Sequence, residues 1–171
     1  MGHQHPRDGR LHLDHVSGLP DVPKGTPIFA GPGEAHPRRF INLFTQGSID
    51  RALAGHAPVQ EWPFQGGDER FAGIVDVFGD GSLWAIWVPG HTPGSVAYLA
   101  RTVRGPVLFV GDTSHTSWGW RHDVEPGSYT VDRAMNATSL AAQRRLVAEH
   151  PGIDVRLGHQ HLDESRTATR R

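Results

Sequence analysis

The chain has 171 residues, a formal net charge of −1 and no cysteine. That length suits a single domain spanning residues 1–171 with a sizeable core, and the near-neutral balance removes the electrostatic case for nucleic acid or an anionic membrane as the main partner. Without thiols there is no disulfide scaffold, no thiolate zinc site and no cysteine nucleophile, so any metal must be held by His, Asp or Glu.

Residues 1–10 are polar, rich in His, Arg and Gly, and without period, and they are expected to be loosely attached, as is the charged tail 163–171. Next comes Leu11-His12-Leu13-Asp14-His15-Val16-Ser17-Gly18, with two imidazoles and a carboxylate inside four residues. If this stretch is extended and then turns, His12 and Asp14 point the same way, because strand side chains alternate. Residues 19–25 read as a Pro/Gly loop, and 27–30 as a short buried strand. Residues 34–47 fit either a short helix or a lid-like loop, since Phe40, Leu43 and Phe44 have helical spacing. Ser48 is placed to cap a helix over residues 49–54, with Gly55 past its end. Residues 59–64 suggest a strand, kept to an edge by Pro63.

From residue 71 the pattern changes to strands. Residues 74–78 and 82–88 flank Gly79-Asp80-Gly81, a hairpin-type turn. The second of these runs directly into Pro89-Gly90-His91. A strand over 95–101 turns near Arg104-Gly105 into a strand over 106–110, which ends at Gly111-Asp112. Residues 113–135 form a long connection without clear period, in which Trp118 and Trp120 are expected to pack as core or lid. Asn136 or Thr138 can cap a helix over 139–149 that Pro151-Gly152 stops. A last strand over 153–157 ends at Gly158-His159, with His161 competing for the same role.

The chain thus delivers His91, Asp112 and His159 directly after apolar strands, beside the early cluster His12, Asp14 and His15. Six nitrogen and oxygen donors are too many for one tetrahedral zinc with an open position. They suit two ions with a carboxylate between them. Such a pair lowers the pKa of a bridging water and polarises a scissile carbonyl or phosphoryl group, which is metal-assisted hydrolysis. Ser95 and Ser114 are weaker candidates as nucleophiles, since no G-x-S-x-G elbow surrounds them. His3, His5, His36 and His56 fit surface enrichment. No run approaches the ~20 apolar residues of a membrane span, and the polar start lacks an apolar signal segment, so a cytoplasmic location is expected.

The residues Leu11 to Gly18, Gly90-His91-Thr92-Pro93-Gly94-Ser95, Gly111-Asp112 and Gly158-His159, in that order, resemble the metallo-β-lactamase fold superfamily over residues 11–161. The resemblance implies an α/β (α+β) chain folded as an αβ/βα sandwich, N-terminally truncated. It implies a metal-dependent hydrolase acting on a small-molecule ester, lactone or thioester. The alternatives are a catalytically impaired metal-binding fragment of that fold and a mononuclear iron oxygenase. By the same resemblance His12 and His91 hold a first ion, Asp14, His15 and His159 a second, and Asp112 bridges them, while Asp14 also orients the attacking hydroxide. By the resemblance, zinc as two ions is the expected cofactor, with iron or manganese compatible with the ligands. One departure stands out: the family motif begins with His where this chain has Arg10, and arginine stays protonated and cannot ligate. The expected shortage of N-terminal strands leaves a bare sheet face, through which a homodimer is expected.

Overall fold

A computed structural model describes residues 13–35 and 43–160. The chain divides into two compact units with the boundary between Trp62 and Pro63.

Among the described residues the first unit opens with α1 (Leu13–Val16), so the early cluster is helical from residue 13 and not extended. Consecutive side chains on a helix diverge by about 100°, which removes the strand alternation expected for this segment. A 3-10 turn over Leu19–Asp21 follows. Strand β1 (Phe29–Ala30) pairs in parallel with β2 (Gln60–Glu61). Both strands are shorter than their apolar runs suggested, and Phe29 is exposed at its edge, stacked on Trp62 at 4.3 Å. Between them lies α2 (Leu43–Leu53). It starts well before Ser48, which therefore lies inside the helix and caps nothing. Ile49, Ala52 and Leu53 recur at helical spacing, and the first two bury against Val16. Gly55 follows with a left-handed φ of 77°, the conformation that ends helices most cheaply in a residue without Cβ. His56, expected at the surface, is half-buried with Nε2 3.0 Å from the Leu19 carbonyl.

The second unit is a five-stranded sheet of order β3-β4-β5-β6-β7. Its strands are β3 (Gly73–Asp76), β4 (Leu83–Trp87), β5 (Val96–Thr102), β6 (Gly105–Phe109) and β7 (Asp154–Arg156). β3 to β6 form an antiparallel meander, and β7 returns parallel to β6. The hairpin turn between β3 and β4 is held by Asp76, whose two carboxylate oxygens accept the amides of Gly79 and Gly81.

The connection over 113–135 is more ordered than its sequence suggested. It contains α3 (Ser117–His122), capped by the Thr116 hydroxyl, which accepts the Gly119 amide. Trp120 buries in the core while Trp118 stays largely exposed. Then comes α4 (Arg133–Glu149), capped by Asp132, whose carboxylate accepts the Met135 amide at 2.9 Å. The helix starts six residues earlier than expected. Asn136 and Thr138 lie inside it because Arg133, Ala134 and Met135 are good helix formers behind an equally good cap. Leu140 and Leu146 pack on one sheet face, with Ile86, Ala97, Leu108 and Val155. Alternate residues of each strand reach that face, as period-two geometry requires. Among the described residues, no helix is long and apolar enough to cross a membrane.

Candidate metal centre

The sheet's directions explain the site. β5 runs against both β4 and β6, so β4 and β6 point the same way, and β7 is parallel to β6. The C-terminal ends of all three strands therefore lie at one end of the sheet. His91 follows β4, Asp112 follows β6 and His159 follows β7. The structure brings these three expected residues together. His91 Nε2 lies 3.4 Å from Asp112 Oδ2, and His159 Nε2 lies 3.3 Å from Asp112 Oδ1.

A fourth residue, not singled out from the sequence, stands with them. His115 Nε2 is 3.7 Å from Asp112 Oδ2. Its ring meets that of His91 edge-on at 5.4 Å between centroids and that of His159 at 4.3 Å. The signal was present as Asp112-Thr113-Ser114-His115, a carboxylate and an imidazole three residues apart. That spacing is a weaker cue than the others, because His115 does not follow an apolar strand directly but lies beyond the turn after β6.

Exposure grades across the cluster. The side chains of His91 and Asp112 are 3% and 6% exposed, His115 is 23% and His159 is 42% exposed. The carboxylate is thus walled in, and the imidazole edge on the His159 side opens to solvent. His91, Asp112 and His115 each offer a donor atom, all within 4.8 Å of one another. Donors on one tetrahedral ion about 2.0–2.1 Å away would lie roughly 3.3 Å apart, close to the spacings seen here. The His115 Nε2 atom is buried and makes no hydrogen bond among the described residues. Three imidazoles around one carboxylate, with a buried ring nitrogen unspent on any hydrogen bond, fit a divalent cation.

The loops that carry these groups are fixed from behind by α4 and the two residues that lead into it. Ser139 Oγ donates to the Pro89 carbonyl at 2.7 Å, and the amides of Val131 and Asp132 donate to the carbonyls of His91 and Gly90. Asn136 Nδ2 donates to the Thr113 carbonyl, and Gln143 Nε2 to Thr113 Oγ1, both at 3.0 Å. Asn136, Ser139 and Gln143 recur at helical spacing and are buried, so one polar stripe of α4 grips two ligand loops. Two glycines permit the close approach. A Cβ on Gly90, whose φ is 142°, would sit 2.2 Å from the backbone nitrogen of Asn136, and one on Gly158 would sit 2.5 Å from Asp112 Oδ1.

The serines are otherwise engaged. Ser95 Oγ accepts the Thr92 amide at 2.9 Å, and Ser114 is fully buried with its hydroxyl on the Thr116 carbonyl. Of the early cluster, Asp14 and His15 are exposed neighbours on α1, with His15 Nε2 3.7 Å from Asp14 Oδ2. His12 and His161 lie outside the described residues.

Known proteins resemble this chain along most of its length. It is 30% identical over 158 residues to the N-acyl homoserine lactonase AttM of Azorhizobium caulinodans, covering 87% of this chain and 55% of that protein. The AttM of Agrobacterium fabrum is 31% identical over 152 residues, with the same two coverages, 87% and 55%. The gamma-lactamase FDB1 of Fusarium pseudograminearum is 29% identical over 165 residues, covering 84% of this chain and 37% of that protein. The chain thus spans about half the length of the lactonases it matches. A crystal structure of a quorum-quenching N-acyl homoserine lactone lactonase shares the fold at TM-score 0.64 and 20% identity, over 94% of this chain and 59% of that one. An N-acyl homoserine lactone hydrolase with N-hexanoyl-L-homoserine at its catalytic metal centre does so at TM-score 0.63 and 22% identity, over 89% and 54%. The family model of the metallo-beta-lactamase superfamily matches residues 11–161, and the chain belongs to that superfamily.

Proposed function

We propose that this chain carries the centre of a metal-dependent hydrolase acting on a small-molecule lactone or related ester. The observation that carries the reading is the convergence of His91, Asp112 and His159 from the ends of three co-directional strands. The lactonases and the lactamase among the relatives support a cyclic carbonyl substrate. Zinc is the proposed ion, and two ions fit the number of donors better than one.

In this reading Asp112 presents Oδ2 toward His91 and Oδ1 toward His159, so its two oxygens serve the two sides of the centre. His91 is held by its loop's bonds to α4, and His159 forms the solvent-facing edge where substrate enters. The assignment of His12, Asp14 and His15 as further ligands, and of Asp14 as the residue that orients the nucleophilic water, rests on their motif and on the family match over residues 11–161. Bound zinc would supply Lewis acidity toward the carbonyl and a water acidic enough to give hydroxide near neutral pH.

The test is direct. Metal analysis of the purified protein is paired with proton release on a panel of N-acyl homoserine lactones, γ-lactones and simple thioesters. Zinc-dependent lactone opening, lost on chelation and regained with zinc, is expected. Stoichiometric zinc without turnover of any member would favour the second reading, an impaired metal-binding protein, which Arg10 in the ligand motif supports. Iron with oxygen uptake would replace both.

A further inference from the structure

We propose that His115 is itself a metal ligand, and that with His91 and Asp112 it makes a cation site built entirely from the second unit. The proposal rests on the metal-centre reading above and adds a donor that the family motif does not contain. Four observations carry it. The donor atoms of His91, Asp112 and His115 lie within 4.8 Å of one another. His115 Nε2 faces the same carboxylate oxygen as His91 Nε2, at 3.7 and 3.4 Å, while His159 faces the other oxygen. That nitrogen is buried and makes no hydrogen bond among the described residues, although buried polar atoms as a rule have partners. The backbone at residue 115 is pinned, since its carbonyl accepts the His159 amide at 3.3 Å, so the ring is held in place from its own main chain.

A purely structural histidine would spend its ring nitrogens on carbonyls or carboxylates as a donor. At 3.7 Å from Asp112 Oδ2, His115 Nε2 is too far to donate a hydrogen bond to that carboxylate, and a ring turned to it by its lone pair would be repelled. A divalent cation resolves this, because each neutral imidazole then gives its lone pair to the ion. The position also makes chemical sense of Arg10. Where the superfamily motif offers a first imidazole, this chain has a guanidinium that cannot ligate. His115, from a different segment, returns an imidazole to the side of Asp112 that faces His91.

The experiment compares chelator-stripped wild type with His115→Ala, and with His122→Ala as a control, because His122 packs on Trp118 outside the cluster. Zinc and cobalt are titrated against a competing chelator, and bound metal is counted. Outer-shell substitutions at metal sites typically cost 10–100-fold in affinity, so loss of a direct ligand is expected to weaken one ion by about 100-fold or more. His122→Ala should match wild type. His115→Ala binding the same number of ions at wild-type affinity overturns the proposal. Imidazole nitrogen shifts in labelled wild type give a second readout that needs no variant to fold. Zinc should move His115 Nε2 together with His91 Nε2, and movement of His91 alone overturns the proposal while leaving the metal centre intact. No metal bound by wild type at all overturns the centre and the ligand together. Zinc on His115 without lactone turnover leaves the ligand standing and removes the hydrolase reading.

Discussion

Asp112 is the residue on which the centre turns. Its carboxylate is almost fully buried and faces three imidazoles. Replacing it by asparagine keeps the shape but removes the charge and turns one oxygen into an amide donor, which no cation accepts as a ligand. Asp112→Asn is expected to lower zinc affinity by about 100-fold or more and to abolish lactone opening, with a circular dichroism spectrum like that of wild type. Retained zinc stoichiometry at micromolar metal would count against the site. Asp68, far simpler, gives the pH prediction. Burial alone would raise its carboxyl, but the amides of Phe71 and Arg70 and the Arg70 guanidinium outweigh it and hold it below its ordinary value. A group depressed in the folded state stabilises above its unfolded pKa of about 3.9, and that contribution is lost as pH falls through the folded value. Urea midpoints from pH 7 to pH 2.5 should therefore fall less steeply for Asp68→Asn than for wild type. Parallel curves would show that Asp68 carries no such linkage.

At the scale of elements, α4 works as both core helix and clamp. Leu140 and Leu146 cover the sheet, while Asn136, Ser139 and Gln143 hold the loops of His91 and Asp112. Asn136→Ala leaves the buried Thr113 carbonyl without its donor, at about 1–3 kcal/mol of stability. It should also weaken zinc binding, because Thr113 is the residue after Asp112. A calorimetric loss of stability with zinc affinity unchanged would reduce the clamp to ordinary packing. This double duty also explains what the sequence did and did not reveal. The strands over 74–110 were legible because apolar runs alternate with Gly-rich turns, and each ligand follows directly. The start of α4 was misread because Asn136 has the chemistry of a cap and is used for a buried tertiary bond, while the cap is Asp132. Ser48 misled for a similar reason: serine has the chemistry of an N-cap, but this one lies within α2. His115 was only weakly legible, because sequence spacing records its distance from Asp112 while its other neighbours, His91 and His159, follow β4 and β7.

For the whole molecule, the division of the chain into two units gives the centre a testable footprint. His91, Asp112, His115 and His159 all belong to the second unit, which has its own core of Ile86, Val88, Leu108, Val110, Leu140 and Val155. A ligand that binds only the folded state stabilises by RT ln(1 + [L]/Kd), about 2.7 kcal/mol at a hundredfold excess over Kd. For a chain of this length that is roughly 5–10 °C in melting temperature. Zinc should therefore raise the melting temperature by that amount over the chelated protein, and amide exchange should say where the gain lies. Protection is expected to rise in the loops after β4, β6 and β7 and along α4, which grips two of them. If Asp14 and His15 also ligate, as their motif proposes, the amides of α1 and the turn after it should slow in the same experiment. Slowing confined to residues 63–160 would remove Asp14 and His15 from the ligand set and leave a centre made by the second unit alone. No slowing at residues 88–92 or 110–115 would mean that zinc binds elsewhere, and the convergence of strand ends would then have some other cause.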